Sequence, residues 1–445
     1  MRLFDSKRSF VVVVFLIVGC LASGATGATA ASNGSGEVLS VLLGLIVILL
    51  AAKLGGDLFE RMGQPAVLGE LLLGMVVGNL HLAGISGLSG FKDSVQLEML
   101  GQLGVIVLLF TVGLESSVTE MRKVGLVAFM VALFGVITPF ILGWGVAAYF
   151  LPDESIYVHI FVGATLTATS VGLTARVLKD LGKLKIREAQ IILGAAVIDD
   201  VMGLVILAMV VGVISTATNA TGSGVESATI LWIIVKALLF VMGALVAGSL
   251  LIPRLLKVGA KLKGSGVLLS ISLLICFGMA YVAGLVGLAP IVGAFAAGLI
   301  LEDVHYSDFH SKGERHLEEL ISPIAVLLVP IFFVRMGMLV DLTTFGRIEI
   351  LGFAGAVTLA AIIGKQACSL AIWDKTTDRL TVGLGMIPRG EVGLIFIGIG
   401  AKLMLDGTPV VSAGTYSAIV IMVIVTTFVT PPLLKWSLGR RGTRI

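Results

Sequence analysis

The 445-residue chain is 57% hydrophobic and 13% charged, and its mean hydropathy is +1.08. Apolar runs of about 20 residues recur along it with short polar loops between them, which excludes an ordinary soluble enzyme and predicts a polytopic all-α membrane protein. The formal net charge of +3 is small and the basic residues lie in loops, so nucleic-acid binding is not predicted. Cys20, Cys276 and Cys368 have neither disulfide nor metal-ligand spacing, and no cofactor is predicted.

Residues 1–30 have the features of a secretory signal peptide. A basic start that includes Arg2 and Arg8 precedes an apolar run to Ala22, and an A-x-A cleavage pattern ends at Ala30. The alternative is an additional, uncleaved membrane helix, but the apolar run is short for a span. We therefore expect cleavage, which would leave the mature N-terminus outside.

Thirteen further apolar stretches are predicted as membrane spans, numbered 1 to 13. They cover residues 37–60, 65–81, 96–114, 123–150, 156–179, 188–215, 227–256, 266–285, 287–302, 318–341, 347–373, 378–405 and 411–436. If span 1 begins outside, almost all basic loop residues lie on the inner side, and the outer loop 216–227 has none. This positive-inside pattern predicts a cytoplasmic tail at 437–445.

Short motifs recur between spans that lie seven apart in the chain. Spans 2 and 9 both open with proline and reach a glycine soon after, and spans 5 and 12 share Val-Gly-Leu at 171–173 and 392–394. Spans 3 and 10 share a Phe-to-Gly pattern at 110–113 and 333–337. Because seven is odd, the partners would cross the membrane in opposite senses. This predicts inverted repeats of six spans, joined by span 7, which is a transporter architecture.

Two adjacent carboxylates, Asp199 and Asp200, lie near the middle of span 6. A charged side chain at the centre of a membrane costs about 3 kcal/mol on insertion scales. Consecutive helix residues are rotated by about 100°, so the two carboxylates should point in different directions. A polar pair that joins helices is the structural alternative. Intramembrane carboxylates favour the functional interpretation, in which the pair binds a cation or a proton.

Spans 5 and 12 are predicted to break close to this pair. Span 5 carries hydroxyl groups at Thr165, Thr167, Thr169 and Ser170, and span 12 carries Pro388, Arg389 and Glu391. Proline removes a backbone donor and disfavours a regular helix before it. Broken membrane helices expose carbonyl groups and dipole ends that can bind ions. The alternative is a packed kink at Pro388 with threonine hydroxyls bonded back to their own helix.

Lys365 stands in the apolar span 11 and should have an acidic partner, either Asp199 or Asp200. With Arg389 and Glu391, the central set would contain three acids and two bases. One negative charge then remains for a cation or a proton. We expect Arg389 and Glu391 to balance charge near the cavity, and the span 5 hydroxyls and carbonyls to help coordinate the ion.

Two other groups of polar residues rank lower as functional candidates. Arg335 in span 10 is expected to extend to the outer surface of the membrane, as long basic side chains do near span ends. His305, His310 and His316 lie in a predicted cytoplasmic loop without a usual metal-ligand spacing. A solvated surface is the default for these histidines, and a pH-sensing role is the alternative.

The motifs Ala164–Gly172, Ile198–Asp200 and Met386–Gly393 resemble those of the monovalent cation:proton antiporter-2 family, which includes NapA-like and Kef-like proteins. The resemblance covers residues 37 to 436. It implies a homodimer with thirteen helices, two crossed broken helices and a NapA/NhaA-like fold. It also implies a dimerisation domain formed by residues 37–114 and 266–341, and a core domain formed by residues 123–215 and 347–436. Residues 227–256 would form a linker helix and residues 437–445 a tail.

The same resemblance implies roles for the charged residues. Asp200 would bind the cation or proton, with Na+ held at Asp200 and Asp199; Asp199 marks members that resemble electrogenic exchangers, and Lys365 would pair with the acidic site. Arg335 lies where a small or apolar residue is expected. The implied partners are monovalent cations, protons, lipid and a second copy of the chain. The implied function is exchange of Na+, Li+ or K+ for H+ across the cytoplasmic membrane by an elevator motion.

Three other functions use similar residues. A cation channel or a Kef-type K+ system could use the same site, and proton flux in vesicles distinguishes a channel from an exchanger. An intramembrane aspartyl protease needs carboxylates that meet from two helices, whereas adjacent residues on one helix diverge. A solute symporter would need a further polar pocket, of which the sequence has no sign.

Overall fold

The computed structural model describes residues 34–84, 88–115, 125–170, 185–219, 266–286, 288–301, 316–374, 377–405 and 407–440, with scattered positions in 174–183 and 232–261. The predicted signal peptide at 1–30 lies outside the described residues, as do His305, His310 and the end of the tail. His316 is described, and it is exposed as expected.

Helices contain most of the described residues. Their bounds are α1 Gly34–Arg61, α2 Ala66–Gly78, α3 Val95–Glu115, α4 Gly125–Phe150, α5 Ile156–Thr165, α6 Arg187–Asn219, α7 Val267–Leu285, α8 Pro290–Ile300, α9 Leu317–Met338, α10 Ile348–Ala367, α11 Arg379–Gly385, α12 Glu391–Gly400 and α13 Ala413–Gly439. Short 3-10 turns cover Leu80–Ala83, Ser89–Phe91, Leu342–Gly346 and Cys368–Ala371. Strands β1 Met404–Leu405 and β2 Thr408–Pro409 form an antiparallel pair.

Eight helices in the described part of the chain are long and apolar enough to cross a membrane, namely α1, α3, α4, α6, α7, α9, α10 and α13. The helices α2, α5 and α8 are apolar but shorter, at 10–17 residues. The protein is therefore a helical polytopic membrane protein. The total of thirteen spans stays a prediction, because span 7 falls among the scattered positions and spans 5 and 12 are interrupted.

Proline begins two of the short helices. Pro65 is the extended residue before α2, and Pro290 is the first residue of α8. Proline fits a helix start because the first backbone N–H groups have no partner within the helix. These are the two prolines whose motif recurs between spans 2 and 9, so the recurring sequence has a similar local structure in both places. The inverted repeat itself stays a prediction.

The chain forms two compact units, the first from the described residues of Met1–Gly104 and Val326–Leu342. Glycines bring backbones into direct contact inside this unit. A Cβ atom added at Gly55 would clash with the carbonyl of Gly69, and one at Gly74 would clash with the carbonyl of Val334. Small residues allow such close approach between membrane helices. The sequence of α2 thus fixes its packing against α1 and α9.

Asn79, at the end of α2, joins that helix to the end of α9. Its Nδ2 donates to the carbonyl oxygen of Val340 at 2.7 Å and to that of Met75 at 2.9 Å. Its Oδ1 accepts from the backbone N–H of Leu342 at 3.1 Å. These bonds satisfy backbone groups that the two helix ends leave without partners.

Arg335 corrects one expectation from the sequence. Its side chain does not extend to the surface: the residue is only 7% exposed, and its Nη2 donates to Glu98 Oε2 at 2.9 Å and to the Lys92 carbonyl oxygen at 3.0 Å. The acid in the first turn of α3 makes burial of the guanidinium possible, because a buried charge requires a partner. Glu98, an isolated acid in an apolar stretch of the sequence, could have indicated that Arg335 has a buried partner.

The second unit comprises the described residues of Val105–Ala325 and Thr343–Ile445. A buried apolar cluster that includes Val131, Ile192, Ala195 and Met386 joins α4, α6 and the end of α11. Every predicted site residue belongs to this unit. The predicted dimerisation and core domains do not coincide with the two units, and that division of the chain stays a prediction.

Candidate functional site

Asp199 and Asp200 lie in the middle of α6, and both are buried, at 1% and 7% exposure. The helix places the two carboxylates on different sides, as consecutive positions require. Gly203 lies one turn after the aspartates in α6, where this helix passes the end of α5. A Cβ atom added at Gly203 would lie 4.0 Å from Thr167 Oγ1. Because residues three and four apart share a helix face, the Asp pair lies close to the region where α5 ends.

Lys365 pairs with Asp199. The Nζ atom lies 2.9 Å from Asp199 Oδ1 and 3.1 Å from Oδ2, and both side chains are fully buried. The sequence left open which aspartate the lysine would contact, and the geometry assigns it to Asp199. A buried lysine and carboxylate compensate each other's loss of hydration only while the pair is intact.

Glycines on two helices make room for this pair. Gly135 of α4 faces the lysine, because an added Cβ would lie 3.5 Å from Lys365 Nζ. Gly364, next to the lysine, lies against the backbone of α4: its Cβ would be 2.7 Å from Pro139 Cα. The close crossing of α4 and α10 therefore sets where Lys365 enters the site.

We expect Gly364→Ala to weaken both stability and transport. The new methyl group must displace α10 from Pro139, and overpacking of this kind costs about 1–3 kcal/mol. The displacement also moves Lys365 relative to Asp199. Gly355→Ala is the matched control on the same helix, since an added Cβ there would have no atom of another described element within 4 Å. Melting temperature and ion flux should fall in the first variant only; equal values in both would contradict the tight crossing.

Both predicted helix breaks are present. The helix α5 ends at Thr165, and the chain is not helical from Ala168 to Ser170. The helix α11 ends at Gly385, and α12 starts only at Glu391, with Pro388 between them. The side chain of Glu391 lies outside the described part of the structure.

The two breaks contact each other. The backbone N–H of Ser170 donates to the carbonyl oxygen of Pro388 at 2.8 Å, and Thr174 Oγ1 donates to the carbonyl oxygen of Gly385 at 2.7 Å. Gly390 lies directly against the Ser170 side chain, so a Cβ there would clash with it. The interrupted segments are thus hydrogen-bonded at their irregular parts.

The span 5 hydroxyls differ in their bonding. Thr165 Oγ1 donates to the Phe161 carbonyl at 2.9 Å, and Thr167 Oγ1 donates to the Ala164 carbonyl at 2.7 Å. These two follow the structural alternative, in which hydroxyls bond back to their own helix. Thr169 Oγ1 is buried and has no hydrogen-bond partner among the described residues.

Arg389, in the segment between α11 and α12, is fully buried. Its Nη1 donates to the Ile387 carbonyl at 3.0 Å and more weakly to the Met386 carbonyl at 3.4 Å. Its Nη2 donates to the Ala361 carbonyl of α10 at 3.3 Å, one turn before Lys365. Arg389 therefore holds the carbonyls at the end of α11 and contacts the helix that carries Lys365, while its role in balancing charge stays a prediction.

Sequence reasoning missed the residues that secure the break in span 12. Thr427 of α13 donates its hydroxyl to the Arg389 carbonyl, and Thr174 binds the Gly385 carbonyl. A signal for Thr427 was available. Thr427 lies in an apolar helix that is rich in threonine, four residues before Pro431. Proline has no backbone N–H, so the helix hydrogen bond that would otherwise reach the Thr427 carbonyl is missing.

A buried carboxylate pair, partly neutralised by a membrane lysine and lying near two interrupted helices, defines an ion-transporting membrane protein. The family described as sodium/hydrogen exchanger, transmembrane, matches residues 46–438. The chain belongs to this family of transporters, which confirms the resemblance to cation:proton antiporters.

Individual relatives agree with this membership. The chain is 38% identical to the high-affinity Na+/H+ antiporter NhaS3 of Synechocystis, over 89% of each chain. It is 34% identical to the Na+/H+-K+ antiporter GerN of Bacillus cereus, over 89% of this chain and 96% of the relative. The solved sodium proton antiporter MjNhaP1 of Methanocaldococcus jannaschii has a similar fold, with a TM-score of 0.67 at 16% identity, over 90% and 97% of the two chains.

Proposed function

We propose that this protein exchanges Na+ for H+ across a membrane and that Asp200 binds the two ions alternately. The Lys365–Asp199 pair is the observation that carries the proposal. Because the lysine neutralises Asp199, the remaining negative charge of the aspartate pair belongs to Asp200. A buried carboxylate that accepts either a proton or a cation makes the two ions compete for one site, and this competition couples their movements.

Oxygen ligands near Asp200 suit a hard monovalent cation. The Thr169 hydroxyl is the span 5 group with the best reason to face the ion, because it is buried and has no partner among the described residues. Thr165 and Thr167 use their hydroxyl hydrogens within α5 but keep lone pairs for a cation. Ser170 and Pro388 support the site through the contact between the breaks.

The finer features of the proposal follow the family resemblance. Exchange is electrogenic, which requires a second proton for each Na+ besides the one on Asp200, and the coupled Asp199–Lys365 pair takes up and releases that proton. Transport uses an elevator motion of a core domain against the dimerisation domain of a homodimer in the cytoplasmic membrane. The protein has thirteen helices in inverted repeats, an outer mature N-terminus and a cytoplasmic C-terminus. The positive-inside pattern supports this orientation, and the contact between the two breaks supports the inverted repeats.

Proteoliposomes that contain a pH-sensitive dye test the proposal. Adding Na+ outside should make the lumen alkaline, since Na+ enters as H+ leaves, and a supported-membrane current should accompany the exchange. Li+ and K+ are added in turn, because the relative GerN is described as exchanging K+ as well. Sodium current without any pH change would indicate a channel and refute the exchange.

A further inference from the structure

The irregular segment between α11 and α12 has a hydrogen-bond donor on each of its backbone carbonyls. The segment's carbonyls belong to Met386, Ile387, Pro388, Arg389 and Gly390, and the Gly385 carbonyl at the end of α11 also has a donor. The Arg389 guanidinium donates to the Met386 and Ile387 carbonyls, and the Leu394 N–H of α12 donates to the Gly390 carbonyl at 3.3 Å. The Gly385, Pro388 and Arg389 carbonyls receive donors from elsewhere in the chain. Broken membrane helices in general expose carbonyls that can bind ions, whereas each carbonyl of the observed span 12 segment accepts a hydrogen bond.

The donors from elsewhere bind the two ends of the segment. Thr174 Oγ1 binds the Gly385 carbonyl at 2.7 Å, where α11 ends. Thr427 Oγ1 binds the Arg389 carbonyl, just before α12 begins. Between them, the Ser170 N–H binds the Pro388 carbonyl at 2.8 Å. Thr174 and Thr427 are themselves buried, at 1% and 3% exposure, so water does not substitute readily for either hydroxyl.

These bonds connect the segment to the charged site. The Arg389 Nη2 donates to the Ala361 carbonyl at 3.3 Å, one turn before Lys365 in α10, while the carbonyl of Arg389 is held by Thr427. A shift of the backbone at Arg389 would therefore move its guanidinium relative to the ion pair. An unsatisfied buried carbonyl is costly, so the segment would rearrange if a donor were lost.

We propose that Thr174 and Thr427 are positioning residues that hold the span 12 break in one geometry, with its carbonyls directed to their donors and away from the transported cation. This inference rests on the proposed exchange function. The cation ligands come instead from Asp200 and from the span 5 side, where Thr169 Oγ1 has no partner among the described residues. The two breaks thus have different tasks.

Thr427→Val tests the inference, since valine keeps the shape of threonine and removes the hydroxyl donor. The apparent KM for Na+ should rise about tenfold, the equivalent of a hydrogen bond worth about 1.4 kcal/mol, with a much smaller change in kcat. Thr427→Ser should restore the wild-type KM, because serine keeps the donor. Thr426→Val is the matched control, since the Thr426 hydroxyl bonds within α13 to Met422; its KM should stay within about twofold of wild type.

Thr174→Val is a second, independent test at the other end of the segment, and it should also raise the apparent KM for Na+. An unchanged or lower KM in folded Thr427→Val and Thr174→Val would overturn the inference, because a carbonyl released from its donor would then be a free or better cation ligand. If wild-type protein neither exchanges nor binds ²²Na+, the proposed function fails instead. Thermal unfolding of each variant identifies any that is simply misfolded, and Thr427→Ser and the corresponding Thr174→Ser, which keep the hydroxyl donor, then decide the result: a wild-type KM supports the inference and a raised KM contradicts it.

Discussion

An Asp200→Asn variant is expected to lose sodium-driven proton transport while it remains folded and inserted in the membrane. Asparagine has nearly the same shape as aspartate but cannot carry the negative charge or bind a transported proton. Loss of a buried charge interaction worth about 3 kcal/mol corresponds to about a hundredfold loss of transport. The Lys365–Asp199 pair remains intact in this variant, so the fold should be preserved.

The measurement is dye-reported pH change in proteoliposomes on addition of Na+, with size-exclusion chromatography and a thermal melt as checks on folding. Asp57→Asn is the control for loss of one acid, because Asp57 is exposed on α1 and pairs with Arg61 one turn away. That variant should transport normally. Near-normal flux from Asp200→Asn would remove Asp200 from the ion-binding site and leave the proposed mechanism without its carrier.

The energetic rules for charges in membranes made the pairing of the buried charges predictable. They indicated Asp199 and Asp200 as functional residues, and they required an acid for Lys365. The broken spans were also predictable, because Pro388 and the hydroxyl-rich stretch at 165–170 disfavour continuous helices. These inferences depend only on local sequence and on the cost of placing charge in a membrane.

The choice of partner within the site could not be read from the sequence. Which aspartate meets Lys365 depends on how α6 and α10 are rotated, and that rotation follows from packing such as the contact of Gly364 with Pro139. Donors such as Thr174 lie more than 200 positions away from the carbonyl that they bind, with a separation of 211 for Thr174 and Gly385. Sequence periodicity carries no information about such contacts.

Arg335 illustrates the same limit for a charge near a helix end. Its position near the end of α9 favoured an extended side chain, because the distance to the membrane surface is short. The structure places it in contact with Glu98, whose location beside Arg335 results from the packing of α3 and α9. A charged side chain can therefore be satisfied by the surface or by a partner, and tertiary structure decides between the two.

The pair of Lys365 and Asp199 should show strong energetic coupling in a double-mutant cycle. Lys365→Met leaves Asp199 buried without its ammonium partner, and breaking a buried pair in this way costs about 3–5 kcal/mol. Asp199→Asn leaves Lys365 in the corresponding position and should also destabilise the protein. The double variant removes both charges, so it should be more stable than the sum of the two single losses, with a coupling energy of about 2–3 kcal/mol.

Thermal or denaturant unfolding in detergent measures this coupling, with Lys53→Met as the control for loss of a lysine, since Lys53 is exposed on α1. The supported-membrane current gives the functional reading. Asp199→Asn should keep part of the exchange but change the charge moved per ion, because Asp199 is the carboxylate that the lysine neutralises. If Lys365→Met melts at the same temperature as Lys53→Met and the single losses add, the two side chains do not form a pair in the membrane. The assignment of the remaining charge to Asp200 would then lose its support.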